Sequence, residues 1–380
     1  MLLLLAVLAA TAAARGTNGF CSIPLSQQHT SLTTIGLCSA DLDVIGPNLE
    51  AIHESTIPPT GLALDSDASL FFTYARNREP QKWTLTKATG FITEVPWPSE
   101  EWQNCKAGQN ASECFVKVQN VVWMPRVALP TPYGAKIMSF NSTSGELIRN
   151  YIYPPELYYA KIQLNDIKIN NTLGNAGYAF ITEDSAFGSI STIDLETCIT
   201  IRHLFNKGTT PSYLNSGTNG IALTGSNIYW GVKASNHWYF APQEAFISNL
   251  TDAEIEAQIQ KPGNFPSEQA GFTADDRGRV YICASAQNAI LYADTLQCEV
   301  TEEINGVPAG RSGPVPAANY NLKTLVRSGQ LQAADTMAIL DGYLYFTTNQ
   351  QGLAPARQYN NIDKRKASIG FSLGEVLLFR

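Results

Sequence analysis

A strand–turn–strand pattern recurs along this chain, and it restricts the fold more than any other feature. The clearest copy covers residues 269–304 and contains four strand-like runs, at 271–274, 279–285, 289–293 and 299–304. Alternating apolar residues define two faces in each run, and the Asp-Asp-Arg-Gly segment at 275–278 favours a tight turn. One such unit is a four-stranded antiparallel sheet with the size of a propeller blade.

Five further stretches follow the same plan of a short strand, a turn and an aromatic-rich strand, at 60–76, 118–123, 164–184, 218–242 and 334–350. Six units predict an all-β fold, a six-bladed β-propeller of four-stranded antiparallel blades, because radial repetition protects sheet edges. The second blade is expected to be incomplete, since the step from Asn120 to Asp166 is the shortest between equivalent positions. A β-sandwich is the alternative, but it offers no reason for six turns in register.

The start of the chain predicts export. Residues 2–14 carry no charge and end in small residues, and the run is shorter than the ~20 residues that span a bilayer. We therefore expect 1–14 to be a signal peptide, 15–59 to lead into the propeller and 60–380 to form it. The mature protein would be secreted and extracellular, without membrane association; a disordered start is the alternative. A net charge of −7 without a Lys/Arg cluster argues against nucleic-acid partners.

Seven cysteines in an exported chain favour disulfides over metal binding, because none forms a C-x-x-C pair or has histidine at zinc spacing. The pair Cys105–Cys114, which flanks a polar loop, is predicted first. Local pairs Cys21–Cys38 and Cys283–Cys298 are plausible and would leave Cys198 free, although spacing alone leaves the connectivity open. Glycosylation sequons occur at Asn110, Asn141, Asn170 and Asn249.

Segments outside the repeats carry three smaller predictions. Residues 245–260 are rich in Glu, Ala and Ile, and they predict a surface helix capped by Thr251 or Asp252. The Pro/Gly-rich run at 306–318 predicts a loop. The C-terminal run 372–380 could pair with an N-terminal segment and close the ring.

The order of these segments resembles the major royal jelly protein/yellow family. The segments are TGLALDSDASLFFTYAR, PWPSEEWQN with a following Cys pair, KVQNVV, LNDIKI, GYAFITEDSAFGSISTIDLET, TNGIALTGSNIYWG, QAGFTADDRGRVYICA and DTMAILDGYLYFTTNQ. The resemblance runs from about Gly61 to Gln350. It implies a secreted six-bladed propeller, distantly related to lactonase-like propellers, with a ligand site at one mouth of the central channel.

Two departures from that family pattern are visible. Trp123-Met124 passes directly into PRVALPTPYG, without the glycine-turn strand that usually follows. Ala333-Ala334 stands where the family commonly has Trp-Pro before the last Asp-Thr, which alters that wall of the channel.

Polar residues at the start of the innermost strands are expected to converge at the channel mouth. They are Asn120, Asn165, Asp166, Asn219 and Asp335, while Thr60 and Ala270 hold the other two blades. Their oxygens suit Ca²⁺ or Mg²⁺, and the likeness to lactonase-like propellers implies a divalent metal held by Asn165, Asn219 and Asp335. The alternative is that these side chains bond to neighbouring strand ends. No acidic residue at Thr60 completes a charged site.

Three classes of function are left open. The resemblance implies binding of a small aromatic amine or catechol-derived ligand, with Asp335 as countercharge, Asn165 and Asn219 as hydrogen-bond partners and Phe187 as a stacking ring. An enzyme is the second class, either a dopachrome-converting isomerase or a divalent-metal-dependent, lactonase-like hydrolase. The third is a structural or storage protein without catalysis. Because HExxH, P-loop and GxGxxG motifs are all missing, nucleotide chemistry lacks support. We favour small-molecule binding.

Overall fold

Antiparallel sheets made of consecutive strands build this protein. The computed structural model describes residues 45–373, apart from 48, 56, 75–81, 104, 107, 116–117, 119–132, 161, 211–215, 234, 298–312, 315 and 351–367. The signal peptide predicted for 1–14, Asn120, and the Cys21–Cys38 pair lie outside the described residues.

The strands alternate with tight turns in which Gly, Asp or Asn takes a positive φ, as Gly278 and Asn288 do. In chain order the strands are β1 Leu49–Ser55, β2 Gly61–Leu64, β3 Leu70–Thr73, β4 Leu85–Ala88, β5 Glu94–Pro96, β6 Lys136–Phe140, β7 Leu147–Ile152, β8 Leu164–Asn170, β9 Tyr178–Glu183, β10 Ser189–Asp194, β11 Thr200–His203, β12 Thr218–Thr224, β13 Asn227–Val232, β14 Trp238–Pro242, β15 Gln269–Ala274, β16 Arg279–Ala284, β17 Ala289–Asp294, β18 Leu296–Gln297, β19 Gly313–Pro314, β20 Leu322–Arg327, β21 Ala334–Leu340, β22 Tyr343–Thr348 and β23 Ser368–Leu373.

These strands form the blades of a propeller. The main sheets are β2-β3-β4-β5, β6-β7, β8-β9-β10-β11, β12-β13-β14, β15-β16-β17-β20 and β21-β22-β23-β1. The inner strands β8, β12, β15, β21 and β2 begin their sheets and are successive neighbours. The all-β propeller is therefore confirmed. The count of six blades stays a prediction, because β6-β7 is the described part of the second blade and 119–132 lie outside the description.

Apolar faces of adjacent sheets pack together and form the core. Phe180 of β9, Ile221 of β12 and Trp230 of β13 are fully buried in one such cluster. The next cluster joins Tyr229, Phe272 and Ile282 between the following pair of sheets. Aromatic residues on the second strand of each repeat thus fill the space between blades.

The outer strand of the fifth sheet corrects a sequence-based prediction. Residues 299–304 were expected to form it and lie outside the described residues, but the edge of β17 is taken by β20. Val326 of β20 is buried in the same core cluster as Ile290 and Met337. This burial explains why a strand more distant in sequence occupies the position. Within the predicted 306–318 loop, Gly313–Pro314 forms the short β19, which pairs with β18.

The last sheet closes the ring with both ends of the described chain. Strand β23 pairs with β22 on one side and with β1 on the other. The expected pairing of a C-terminal run with the N-terminal segment is present, although the strand is Ser368–Leu373 and precedes most of 372–380. Residues of the expected lead-in segment 15–59 thus supply an outermost strand.

A buried polar cluster joins this closing strand to the first sheet. Glu94 of β5 accepts hydrogen bonds from Nε2 of His53 (2.7 Å), the hydroxyl of Tyr74 (2.5 Å) and the hydroxyl of Thr86 (2.5 Å). The other ring nitrogen of His53, Nδ1, lies 3.0 Å from the carbonyl oxygen of Gly90. Both ring nitrogens of His53 therefore lie within hydrogen-bond distance of oxygen atoms.

The expected helix at 245–260 is instead two short helices, α1 Gln243–Ile247 and α2 Asp252–Glu256. Thr251 is the N-cap of α2, as predicted, and forms a capping box with Glu254. The chain then returns to cover the outer edge of β14 through bridges at Gln260 and Asn264. Short 3₁₀ turns occur at Glu100–Trp102, Ala111–Glu113, Pro155–Leu157, Ser285–Gln287 and Ala317–Asn319.

The predicted disulfide Cys105–Cys114 is confirmed. The predicted Cys283–Cys298 pair is wrong, because Cys283 is a free thiol buried between sheets while Cys298 lies outside the described residues. Cys198 is also free, as expected.

Three of the sequon asparagines, Asn110, Asn141 and Asn249, are exposed. Asn170 is half-buried and its amide donates to Oε1 of Gln243 (2.7 Å), so a glycan on this nitrogen would lie beside that contact. Glycosylation itself stays a prediction. In the part of the chain that the structure describes, no helix combines the length and apolar character needed to cross a membrane.

Candidate functional site

A repeated bulge shapes the centre of the propeller. In β8, β12, β15 and β21 the pairing with the next strand shifts near the start, between Leu164 and Ile167 in β8 and at the equivalent points of the others. Two residues thus oppose one, which inserts one extra residue and re-aims the side chains there. The residues in the bulges are Asn165-Asp166, Asn219-Gly220, Ala270-Gly271 and Asp335-Thr336.

Two bulges carry glycine because neighbouring inner strands approach closely. A Cβ on Gly220 would clash with the Ala270 carbonyl oxygen and lie 2.8 Å from the backbone nitrogen of Phe272. A Cβ on Gly271 would clash with the Asp335 carbonyl oxygen and lie 3.1 Å from the Thr336 Cα. These contacts hold consecutive blades at a spacing that a larger side chain would widen.

The bulges surround a cavity of about 310 Å³. Its walls are polar and include Thr60, Asn165, Asp166, Asn219, Lys233, Glu268, Gln269, Ala270, Ser285, Asn288, Gln332, Ala333, Asp335 and Asn349. The structure thus brings together Thr60, Asn165, Asp166, Asn219, Ala270 and Asp335, as the sequence predicted. Their role in binding a ligand or metal stays a prediction.

Hydrogen bonds fix the orientation of the two amides. Nδ2 of Asn165 donates to the backbone oxygen of Asn219 (3.3 Å), and Nδ2 of Asn219 donates to Oδ2 of Asp184 (3.0 Å). Both side chains are largely buried, with exposed fractions of 8% and 5%. Because each amide nitrogen is engaged, the amide oxygens are the atoms left to meet a ligand.

Asp184 holds two lining residues in place, Asn219 and Lys233. Its Oδ1 accepts from the backbone nitrogen of Gly217 (3.0 Å), and its Oδ2 lies 3.2 Å from Nζ of Lys233. Burial raises the pKa of Asp184, while Lys233 and the hydrogen bonds from Asn219 and Gly217 oppose that rise. The carboxylate therefore ties one asparagine and one lysine of the cavity to the same point.

The opposite wall has a carboxylate that faces the cavity directly. Asp335 of β21 is half-buried, and its Oδ2 accepts from Nδ2 of Asn349 (3.1 Å). With Asp166 and Glu268 it gives the lining three carboxylates against the single ammonium of Lys233. Among the described residues, no group of three His, Cys, Asp or Glu side chains has an arrangement that could hold a metal ion.

Sequence reasoning missed Lys233, Ser285 and Asn349, although a signal was present. Each follows directly after the second strand of its sheet, as Asp184 does after β9. In an antiparallel pair the end of the second strand lies beside the start of the first. The residue after each aromatic-rich strand therefore meets the same channel mouth.

Phe187 does not line the cavity. Its ring is 41% exposed and packs edge-on against Tyr159, at 5.4 Å between centroids, and beside Phe205. The expectation that this ring stacks on a ligand in the cavity is thus corrected. The DSAFGS loop turns outward because Ser185 is held by buried Glu183 and by the Tyr159 hydroxyl.

Comparisons with known proteins address the fold. No protein-family model matches the sequence, and no curated protein matches it either. The calcium-binding protein regucalcin from Agrobacterium tumefaciens str. C58 is similar in structure, with a TM-score of 0.50 and 13% identity over 86% of this chain and 94% of that one. A luciferin-regenerating enzyme gives 0.49 at 13% identity, covering 86% and 95%. Virginiamycin B lyase from Staphylococcus aureus, with quinupristin, gives 0.47 at 11%, covering 86% and 98%. The chain shares the all-β propeller fold of regucalcin.

Proposed function

We propose that this protein binds a small amine in its cationic form in the cavity at the mouth of the propeller. The main support for the proposal is that acceptor oxygens and carboxylates line this cavity. The amide nitrogens of Asn165 and Asn219 are already engaged, so their oxygens face the ligand together with Asp335. A wall of acceptor oxygens and carboxylates attracts ammonium groups and repels anions.

Asp335 is the countercharge in this proposal. One of its oxygens is held by Asn349, which leaves the other to accept from an ammonium. The hydrogen bond from Asn349 also fixes the carboxylate on the cavity wall before a ligand arrives, which lowers the entropy lost on binding.

The resemblance to the major royal jelly protein/yellow family supports the same class of ligand, and membership of that family is part of the proposal. The aromatic part of the expected ligand has less support. The lining residues that the structure describes carry no aromatic side chain, and Phe187 lies outside them. The ammonium group is thus the feature that we expect the site to recognise.

Replacing Asp335 by Asn is expected to weaken binding of tyramine about 10- to 100-fold, because a hydrogen bond to a charged partner contributes about 1.5–3 kcal/mol. Isothermal titration calorimetry in the presence of EDTA measures the change. Asp294→Asn is the matched control, since Asp294 pairs with Lys323 on the surface and does not line the cavity. Equal tyramine affinity in both variants, or no heat with the unaltered protein, contradicts the proposal.

A divalent-metal-dependent, lactonase-like hydrolase is the second candidate. It is favoured by the convergence of Asn165, Asn219 and Asp335, whose oxygens suit Ca²⁺, and by the calcium binding in the name of regucalcin. A bound cation would supply Lewis-acid polarisation of an ester carbonyl. Metal analysis of the purified protein with a lactone-hydrolysis assay tests this candidate, and absence of both metal and turnover removes it.

The isomerase hypothesis and the storage hypothesis are tested separately. Loss of dopachrome absorbance on addition of the protein tests the first. If no amine binding, no bound metal with lactone hydrolysis and no loss of dopachrome absorbance is measured, the structural or storage role is the hypothesis that is left.

A further inference from the structure

Lys233 is the one cationic side chain among the described residues that line the cavity, and no sequence motif predicted it there. It follows β13 directly and occupies the place that Asp184, Ser285 and Asn349 occupy in the other sheets. Its Nζ lies 3.2 Å from Oδ2 of Asp184, a carboxylate whose side chain is only 3% exposed. A charged side chain is thus anchored in the wall of a cavity whose other charges are negative.

The anchor also couples Lys233 to a predicted ligand group. Oδ2 of Asp184 accepts from both Nζ of Lys233 and Nδ2 of Asn219. The ammonium is therefore held on the same side of the cavity as the Asn219 amide oxygen. A cation that reaches that oxygen must approach a fixed positive charge.

We propose that Lys233 is a tethered cation that makes this cavity select singly charged amines over divalent metal ions, an inference that rests on the proposed amine site. Repulsion between two charges is proportional to each of them, so Lys233 penalises Ca²⁺ twice as much as an ammonium at the same position. A ring of oxygens that would suit Ca²⁺ is thereby biased toward amines.

The test compares Ca²⁺ and tyramine in calorimetric titrations of four proteins and one remote control. They are the unaltered chain, Lys233→Gln, Lys233→Met and Lys233→Arg. The glutamine variant removes the charge but keeps a donor for Asp184, and the arginine variant keeps the charge. Lys207→Gln is the remote control, because Lys207 contacts Glu256 on the surface and does not line the cavity. Thermal unfolding of each variant shows that it is folded.

Calcium chloride is expected to bind at least ~10-fold more tightly to Lys233→Gln and Lys233→Met than to the unaltered chain. Tyramine affinity should rise by about the square root of the same factor, because its charge is half as large. The Lys233→Arg and Lys207→Gln proteins should match the unaltered chain.

Ca²⁺ affinities within about two-fold of each other in all variants would overturn the inference, since a fixed positive charge must change divalent binding if it faces the site. An equal gain in Lys233→Arg would also overturn it, because charge is then not the cause. The Ca²⁺ titrations can be interpreted whether or not tyramine binds. If tyramine fails to bind any protein while Ca²⁺ distinguishes the neutral variants, the amine function fails, and only the repulsion of divalent ions by Lys233 holds.

Discussion

Gly271→Ala is expected to lower the free energy of unfolding by about 3 kcal/mol and to weaken tyramine binding together with it. The added methyl would meet the Asp335 carbonyl oxygen and the Thr336 Cα, which are backbone atoms of the neighbouring inner strand. Backbone cannot rotate away as a flexible side chain can, so β15 and β21 must separate. That shift moves the carboxylate proposed as countercharge. Urea unfolding and calorimetry measure the two effects.

Gly208→Ala is the matched control for this prediction. A Cβ on Gly208 meets no atom within 4 Å, and its φ is not in the left-handed region. This substitution should be neutral or stabilising by roughly 0.5 kcal/mol, since it reduces the entropy of the unfolded chain. If both variants unfold at the same urea concentration, the close approach of the inner strands does not limit this fold.

Glu94→Ala is expected to cost roughly 3 kcal/mol or more, because removing one partner leaves His53 buried without its carboxylate. His53 is fully buried on β1, and Glu94 is on β5, so this pair joins the ring-closing strand to the first sheet. The Tyr74 and Thr86 hydroxyls lose their acceptor in the same variant. Urea unfolding at pH 7 measures the loss, with exposed Glu146→Ala as the control.

Stability should also depend on pH through Glu94. Burial pushes its pKa upward, but hydrogen bonds from His53, Thr86 and Tyr74 outweigh burial and hold the pKa below the usual 4.5. A depressed carboxyl pKa contributes stability that is complete above 4.5 and is lost as the pH falls through the folded-state value. Glu94→Gln should therefore flatten the acid side of the stability curve. An unchanged acid side would show that other carboxyls control it.

The inner part of each blade was predictable because short-range sequence patterns determine it. Alternating residues and turn signals located β15 and β16, and they placed Asn165, Asn219 and Asp335 at strand starts that the structure brings together. These features depend on residues that are close in sequence. The number of blades and the ligand could not follow from the same patterns.

The features that were missed depend on contacts between distant residues. The outer strand β20 replaced 299–304 because Val326 completes a core built from other sheets. The bulges require knowledge of strand register, and the pair of His53 and Glu94 links two sheets through side chains 41 residues apart. The cysteine pairing failed for the same reason, since Cys283 belongs to a packed interior rather than to a loop.

Closure of the last sheet by β1 and β23 has a consequence for biosynthesis. The ribosome releases β1 long before β23, at about 5–20 residues per second, so the partner of this early strand appears only after the strands of all the other sheets. Until then the edge of β1 that pairs with β23 is open to foreign strands. Assembly of the circle thus waits for β23, and the nascent chain depends on that strand to cover the exposed edge of β1.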